Sequence, residues 1–244
     1  RVASGIELTE SGQRLYDYAN TVLSEYDKLK KEIDMIGASE EGTVELLVAY
    51  DILRYLTPDC ILEFQKKYPN VTFSYMEYPD RIVEKMLLDK EGNVALSIGP
   101  FAGDCFDMKS LKKCSLGLLV YEEHSLAKKR EATILDLEGE PLYLENSSFK
   151  LNEFIQSRCW NRGFEPDIVF ETNGFDLCYK MCRLKRGISV TIDFVHEDMN
   201  TEGLVMIPFA EDDMIWEIGL LTLKDRAMES SVEKFYKYIE NYNS

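Results

Sequence analysis

The sequence predicts an α/β protein of two lobes that is preceded by one long helix. Three observations support this fold class: an apolar heptad repeat near the N-terminus, an alternation of strand and helix patterns after residue 42, and a second such alternation after residue 141. Alternating strands and helices are typical of parallel sheets, because each helix carries the chain back across the sheet. Ligands of such sheets lie at the carboxyl ends of the strands, so two lobes predict a cleft between them.

The predicted N-terminal helix has a narrow apolar stripe. Thr9 is its expected N-cap and Gly37 its expected end, which gives about 28 residues and a length of roughly 42 Å. A strict heptad stripe favours pairing with another helix. The alternative, an amphipathic helix lying on its own domain, predicts a wider apolar face with a period of 3.6 residues. We therefore expect a protein that assembles through this seam, whose residues are Leu15, Ala19, Val22, Tyr26, Leu29, Ile33 and Ile36.

The first alternating set follows a short polar linker, Ala38-Ser39-Glu40-Glu41-Gly42. Thr57 and Pro58 look like an N-cap and a first-turn proline, and they predict a helix that runs to about Lys67, before Pro69. The other predicted elements are a strand over Thr43 to Ala49, a strand over Val71 to Glu77, a helix over Arg81 to Leu88 and a strand over Val94 to Ile98.

The second alternating set is reached through one long strand, or two consecutive strands, over Met108 to Glu122, with an interruption around Lys112 and Lys113. Three strands and two helices then alternate, and a returning strand and a closing amphipathic helix follow. The strands are expected at Leu142 to Leu144, Ile168 to Phe170, Ile188 to Ile192 and Ile215 to Leu223, and the helices at Lys150 to Arg162, Phe175 to Leu184 and Ala227 to Tyr242.

Composition limits the classes of function. The chain has 244 residues and a net charge of −16, with 44 acidic against 28 basic residues, which argues against DNA binding by these residues. Any DNA contact is expected from a segment before Arg1, since the chain does not begin with Met and looks like part of a longer protein. A membrane span and a signal peptide are not predicted, so we expect a cytoplasmic protein without a membrane partner.

Cysteine and histidine patterns do not predict chemistry. Six scattered cysteines are expected to be free thiols, and Cys178 with Cys182 is interpreted as a buried helix face rather than a metal or redox pair. Asp193, His196, Glu197 and Asp198 are interpreted as an exposed acidic loop rather than a metal site. Neither His124 nor His196 lies near a nucleophile motif, and no glycine-rich phosphate loop is present. We expect no catalysis, no metal and no cofactor.

Several segments resemble LysR-type transcriptional regulators over essentially the whole chain. Gly5-Ile6-Glu7-Leu8-Thr9-Glu10-Ser11-Gly12 is similar to the end of the family's DNA-binding wing, and Phe64-Gln65-Lys66-Lys67-Tyr68-Pro69-Asn70-Val71 to its F-x-x-x-Y-P-x-V turn. His124-Ser125-Leu126-Ala127 resembles H-P-L-A, and Asp136-Leu137-Glu138-Gly139-Glu140-Pro141-Leu142 resembles D-L-x-G-x-P-L. Each motif is weak alone, but their order and spacing together are specific.

The resemblance implies a linker helix that pairs with a second subunit in a homodimer, and dimers that associate further into a homotetramer. It also implies an effector-binding region of the periplasmic-binding-protein type 2 fold and a winged helix-turn-helix that lies outside this chain. The implied domains are the wing end at 1–8, the dimerisation helix at 9–37, lobe I at 43–118 with 222–244, and lobe II at 119–221. A solute-binding protein of a transport system shares this fold, but it has no use for a heptad helix before the first strand.

The family cleft, carried over position by position, gives a predicted ligand site at the strand ends. Two departures from the family are expected to matter. Asp51 adds a negative charge where the family often holds an acidic effector, so Arg54 or helix N-termini would have to offset it, unless Asp51 only caps a turn. Thr191-Ile192-Asp193 stands where the family commonly has Leu-Pro. The predicted residues are Tyr50, Asp51, Ile52, Tyr78, Pro79, Gly99, Pro100, Asn146, Ser147, Ser148, Thr172, Asn173, Thr191 and Asp193.

Overall fold

A computed structural model describes residues 9–36, 42–101 and 103–242 of the chain. The chain divides into two compact units at residue 42. The predicted wing end at 1–8, the helix stop at Gly37 and the linker residues 38–41 lie outside the described residues.

The first unit contains the predicted long helix, α1, which spans Glu10–Ile36. Thr9 caps it: its Oγ1 accepts a hydrogen bond of 3.1 Å from the Gly12 N–H, and its carbonyl accepts one of 2.8 Å from the Gln13 N–H. The N-cap predicted at Thr9 is therefore confirmed.

A first sheet begins the second unit, with β1 (Gly42–Ala49) between β2 (Val71–Tyr78) and β3 (Val94–Ile98), all parallel. The second half of β1, residues 46–49, is a continuous apolar run because the sheet buries it on both faces. Strand β9 (Ile215–Leu223) adds antiparallel to β3. The helices associated with this sheet are α2 (Ile52–Leu56), α3 (Asp59–Lys67), α4 (Asp80–Leu88) and α8 (Ser230–Tyr242).

One long strand, β4 (Phe106–Tyr121), passes from the first sheet into the second. Its first ten residues pair with β9 and the following ones pair with β7 and β8. The strand order is β2-β1-β3-β9-β4-β7-β5-β6, with β8 also beside β4. The elements of the second lobe are β5 (Pro141–Glu145), α5 (Lys150–Asn161), β6 (Asp167–Thr172), α6 (Phe175–Arg183), β7 (Ile188–Ile192), α7 (Asp193–Asp198) and β8 (Leu204–Pro208).

The long strand that connects the two lobes agrees with the sequence prediction. An interruption was expected around Lys112, and the pairing of β4 with β9 shifts register between Ser110 and Lys112. This irregularity lies just before the residues of β4 that change partner. The predicted two-lobed α/β architecture is confirmed.

Three local predictions are wrong. Thr57 does not cap a helix: it ends α2 with a left-handed φ of 60°, and α3 begins only after Pro58. The acidic segment that begins at Asp193 is not an exposed loop but helix α7, whose Phe194 and Val195 are buried. The closing helix begins at Ser230 rather than at Ala227. The short elements α2 and β8 were not predicted, because five residues carry too little periodicity to separate a helix or strand from a loop.

The apolar core runs through both sheets, and buried cysteines are part of it. Cys178 and Cys182 both lie in the buried face of α6, and burial raises the pKa of the Cys178 thiol to about 11. All six cysteines are free thiols, and this pair packs as core. Among the described helices, none combines the length and the apolar character that a membrane crossing requires.

Candidate functional site at the strand ends

The carboxyl ends of parallel strands from both lobes meet around one cavity. Strands β1, β3, β5 and β7 each end at it. Its volume is about 20 Å³, which is room for about one water molecule, so a larger ligand requires the lobes to separate. The residues of lobe I that line it are Ala49, Tyr50, Asp51, Ile52, Asp80 and Ile98, and Glu145, Phe149, Leu151, Phe175, Ile192, Phe194 and Trp216 complete it.

Three predicted site residues, Tyr50, Asp51 and Ile52, line this cavity. At the other strands the lining residue is a close neighbour of a predicted one. Ile98 lines the cavity instead of Gly99, and Asp80 lines it instead of Pro79. Side chains of neighbouring residues in a strand point in opposite directions. The sequence therefore predicted where the strands end more accurately than which side chain at each end faces the cavity.

The remaining predicted residues make contacts at the edges of the cavity. The Asn146 side-chain amide donates to Asn173 Oδ1 at 2.5 Å, and Asn146 Oδ1 accepts from the Ser148 N–H at 2.8 Å. The Thr172 hydroxyl donates a hydrogen bond of 2.8 Å to the Gly174 carbonyl. These bonds shape the turns that follow β5 and β6. Tyr78 and Ser147 lie in the same end regions of β2 and β5, outside the lining set.

Two predicted residues at the end of β7 are engaged in the protein's own structure. The hydroxyls of Thr191 and Tyr179 lie 2.9 Å apart, and Tyr179 also contacts His196 Nδ1 at 3.0 Å. Asp193 accepts the Ser115 N–H at 2.8 Å and the Phe194 N–H at 2.6 Å. Among the described residues, no group of three His, Cys, Asp or Glu side chains could hold a metal ion.

Arg54 joins the two lobes on one side of the cavity. Its guanidinium contacts Asp51 at 2.5 Å in its own lobe, and Asp176 at 2.8 Å and Asp198 at 2.7 Å in the other lobe. Asp51 has a left-handed φ of 69° before α2, and its side chain makes no capping hydrogen bond there. The capping role considered for Asp51 is therefore not observed, and its carboxylate pairs with Arg54 and lines the cavity.

Lys150 joins the lobes on the other side. Its ammonium contacts the Glu84 carboxylate and donates to the Ile98 carbonyl at 2.7 Å. Its backbone N–H donates to Asp80 Oδ1 at 3.0 Å. Lys150 lies in lobe II and all three partners lie in lobe I, so these bonds hold the lobes together.

Burial changes the ionisation of the carboxyl groups at the cavity. Burial raises the pKa of Asp80 to about 6, against the opposing effect of Lys150. Burial raises the pKa of Glu145 well above its usual value, and nearby Asp51 and Asp80 raise it further. Sequence reasoning missed both residues. An acidic residue directly after the apolar run Leu142 to Leu144 was the available signal for Glu145.

A larger and more open groove of about 560 Å³ lies beside the cavity. Pro100, another predicted residue, lines it together with Phe101, Arg81 and Glu153. Arg81 and Glu153 form an ion pair across it, from α4 to α5. Lys150 borders the groove too, and its Nζ lies 5.0 Å from the Phe101 ring centroid.

Comparison with known proteins agrees with this architecture. The LysR substrate binding domain family matches residues 37–243. The chain is 25% identical over 185 residues to the uncharacterized HTH-type transcriptional regulator YwbI of Bacillus subtilis, covering 76% of this chain and 62% of that protein. It is 23% identical over 246 residues to the transcriptional dual regulator GltC of the same organism, covering 100% of this chain and 82% of GltC.

A solved structure shows the same fold. The regulatory domain of CcmR from Synechocystis PCC6803, in complex with 2-PG, superposes with a TM-score of 0.74 at 16% identity, covering 84% of this chain and 98% of that one. Since the family match extends over most of the second unit, the chain belongs to the LysR substrate-binding domain family.

Proposed function

We propose that the second unit binds a small-molecule effector in the cavity at the strand ends and thereby controls transcription. The observation that carries this proposal is the convergence of four strand ends from two lobes on one cavity, with ionic contacts across it. The relatives YwbI and GltC are named transcriptional regulators, and the CcmR domain was solved with a small molecule bound. In this proposal a DNA-binding domain outside these residues contacts the DNA, and the protein acts in the cytoplasm.

The proposed mechanism is a shift between two placements of the lobes. A ligand larger than the present cavity binds only when the lobes separate, so it favours an arrangement with weakened Arg54 and Lys150 contacts. The ligand can shift the equilibrium only by its difference in affinity for the two arrangements. In this proposal the chain senses rather than catalyses. The lobe boundaries were predicted at 118 and 222, whereas β4 changes its pairing partner after Ser115 and β9 pairs with β3 and with the first part of β4.

A ligand screen tests the effector site. Organic acids, amino acids and aromatic metabolites are added to the chain and its melting temperature is measured. A ligand present at 100 times its Kd raises the free energy of unfolding by about 2.7 kcal/mol. Each kcal/mol raises Tm by about 2 to 4 °C for a protein of this size. Tyr50→Ala is expected to reduce the shift, because Tyr50 lines the cavity and its ring lies 6.2 Å from that of Phe149.

Tyr75→Ala is the matched control, because Tyr75 is also exposed but lies in β2 outside the lining set. It is expected to keep the full shift. A Tyr50→Ala protein that responds to the same ligand as strongly as the unchanged chain would contradict the proposed site.

The proposed assembly is a pair of chains joined through α1. Leu15, Ala19, Val22 and Tyr26 of the seam are exposed, with Leu15 at 72% and Tyr26 at 63%. The side chains of Leu29, Ile33 and Ile36 lie outside what the structure describes. Exposed apolar residues at heptad spacing are typical of a helix that pairs with another. A homodimer is the simplest assembly that buries them, and a tetramer could form from two such pairs.

Charged substitutions in the seam test this assembly. Leu15→Asp with Val22→Asp is expected to convert the dimer into a monomer at tens of micromolar, because the pairing would bury two uncompensated carboxylates. The mass is measured by light scattering. Gln13→Asp with Asn20→Asp adds the same charge at exposed positions away from the seam and is expected to leave a dimer. If the seam variant is also dimeric, α1 does not hold the subunits together.

A further inference from the structure

The cavity lining combines carboxyl groups with aromatic rings. Asp51, Asp80 and Glu145 line it, and the lining set of the described residues contains no Lys, Arg or His. Aromatic side chains, among them Phe175 and Trp216, make up much of the remaining wall. Aromatic faces attract cations, and most strongly where water is excluded.

Two polar atoms at the cavity are buried and unsatisfied. Glu145 is 3% exposed, and its Oε1 accepts no hydrogen bond from the described part of the chain. Trp216 is 4% exposed, and its Nε1–H likewise lacks an acceptor among the described residues. A buried polar atom without a partner is costly, and such atoms are uncommon in folded proteins. A ligand that donates to Glu145 and accepts from Trp216 would satisfy both.

The cations nearest the cavity are already paired with carboxylates. Arg54 is shared among three carboxylates, Asp51, Asp176 and Asp198. Lys150 contacts Glu84 and lies close to Asp80 as well. With Glu145 added, six carboxyl groups surround two cationic side chains. An anionic ligand would therefore meet more carboxyl groups than cations, whereas a cationic ligand would stabilise the ionised form of buried Glu145, whose pKa is otherwise raised.

A metal ion does not account for this arrangement. The carboxyl groups of the cavity do not form a metal-binding group in the described residues. The aromatic wall also favours an organic cation over a strongly hydrated ion, which takes oxygen ligands.

We propose, on the basis of the effector site proposed above, that the ligand of this cleft carries a protonated nitrogen, as an amine or an amidinium, on an apolar body. The nitrogen donates to Glu145 Oε1 and lies against the aromatic wall. Asp51 and Asp80 supply further negative charge, and the Trp216 Nε1–H donates to an acceptor elsewhere on the ligand.

Matched probes of opposite charge and graded size test this proposal. Methylamine, n-butylamine and benzylamine are compared with formate, butyrate and benzoate. The Tm shift is measured for each probe first, and the affinity of each probe is then measured by isothermal titration calorimetry. At least one amine is expected to bind saturably, while its matched acid does not. Glu145→Gln keeps the shape of the side chain but cannot ionise beside a bound amine, so it is expected to weaken amine binding about tenfold or more.

Two further variants make the result specific. Asp51→Asn is expected to weaken binding of the same amine, so the test stays informative if Glu145→Gln fails to fold. Glu165→Gln makes the same chemical change at an exposed position outside the lining set and is expected to leave binding unchanged.

The outcomes separate this inference from the proposed function. An acid that binds saturably, loses affinity in Tyr50→Ala and keeps it in Glu145→Gln would overturn the cationic ligand and leave the effector site in place. Absence of any amine binding would overturn the inference as well. If neither these probes nor the wider ligand screen gives a shift that depends on Tyr50, the effector site itself fails.

Discussion

Replacing Lys150 with alanine is expected to lower the free energy of unfolding by about 3 to 5 kcal/mol, the usual cost of removing one partner of a buried ion pair. The Lys150 and Glu84 side chains are 9% and 6% exposed, so the variant leaves the Glu84 carboxylate buried, with the weak 3.4 Å hydrogen bond from Ser97 as its remaining side-chain partner among the described residues. The variant also loses the bond to the Ile98 carbonyl. The measurement is urea unfolding followed by circular dichroism.

A second substitution shows whether the unpaired carboxylate causes the loss. Adding Glu84→Gln to Lys150→Ala is expected to recover part of the stability, because it removes the uncompensated charge. Lys180→Ala is the matched control, since Lys180 is an exposed lysine in helix α6, and it is expected to change stability by about 0.5 kcal/mol or less. A double variant no more stable than Lys150→Ala would show that the charge is not the cause.

Replacing Phe235 with alanine is expected to cost about 3 to 5 kcal/mol, as for other buried phenylalanines. Phe235 is fully buried in α8, and its ring lies 5.0 Å from that of Phe64 in an edge-to-face arrangement and 5.4 Å from that of Phe73. These contacts attach the C-terminal helix to the first sheet. The loss is measured as a lower urea midpoint and a lower Tm.

Leu62 provides the control for Phe235. It lies in α3, the same helix as Phe64, but it is 61% exposed. Leu62→Ala is expected to change the free energy of unfolding by about 0.5 kcal/mol or less. If Phe235→Ala costs no more than Leu62→Ala, the aromatic cluster does not hold the C-terminal helix in place.

Elements with long, regular patterns could be predicted closely from the sequence. Strands β3 and β7 have the predicted bounds, because each is a short, fully buried segment rich in β-branched and aliphatic residues. Helix α1 begins where Thr9 predicts, since a cap is a local interaction between neighbours in sequence. The segment at α7 was predicted poorly because its three acidic residues and one histidine conceal the two residues that tertiary packing buries, Phe194 and Val195.

The site was harder to predict than the fold. The chain order of strands and helices located the strand ends, and the loop after β1, which was predicted to bind the ligand, lines the cavity. Asp80 and Glu145 were missed because their raised pKa values come first from burial, and because Asp80 acts on Glu145 from 65 positions away in the chain, which leaves no local signal. The pairing of Arg54 with Asp176 and Asp198 is equally distant in sequence.

The sequence by itself determined the two alternating sets, the long heptad helix and the resemblance to the LysR family, because these depend on periodicity and on motifs in a fixed order. Only the tertiary structure decided which side chains face the cavity and which charges are paired. It placed Asp51, Asp80 and Glu145 around one small space, with Arg54 shared among Asp51, Asp176 and Asp198 and the Lys150 ammonium paired with Glu84. The physical reason is that burial and electrostatic interaction depend on distance in space, which the order of residues along the chain does not give.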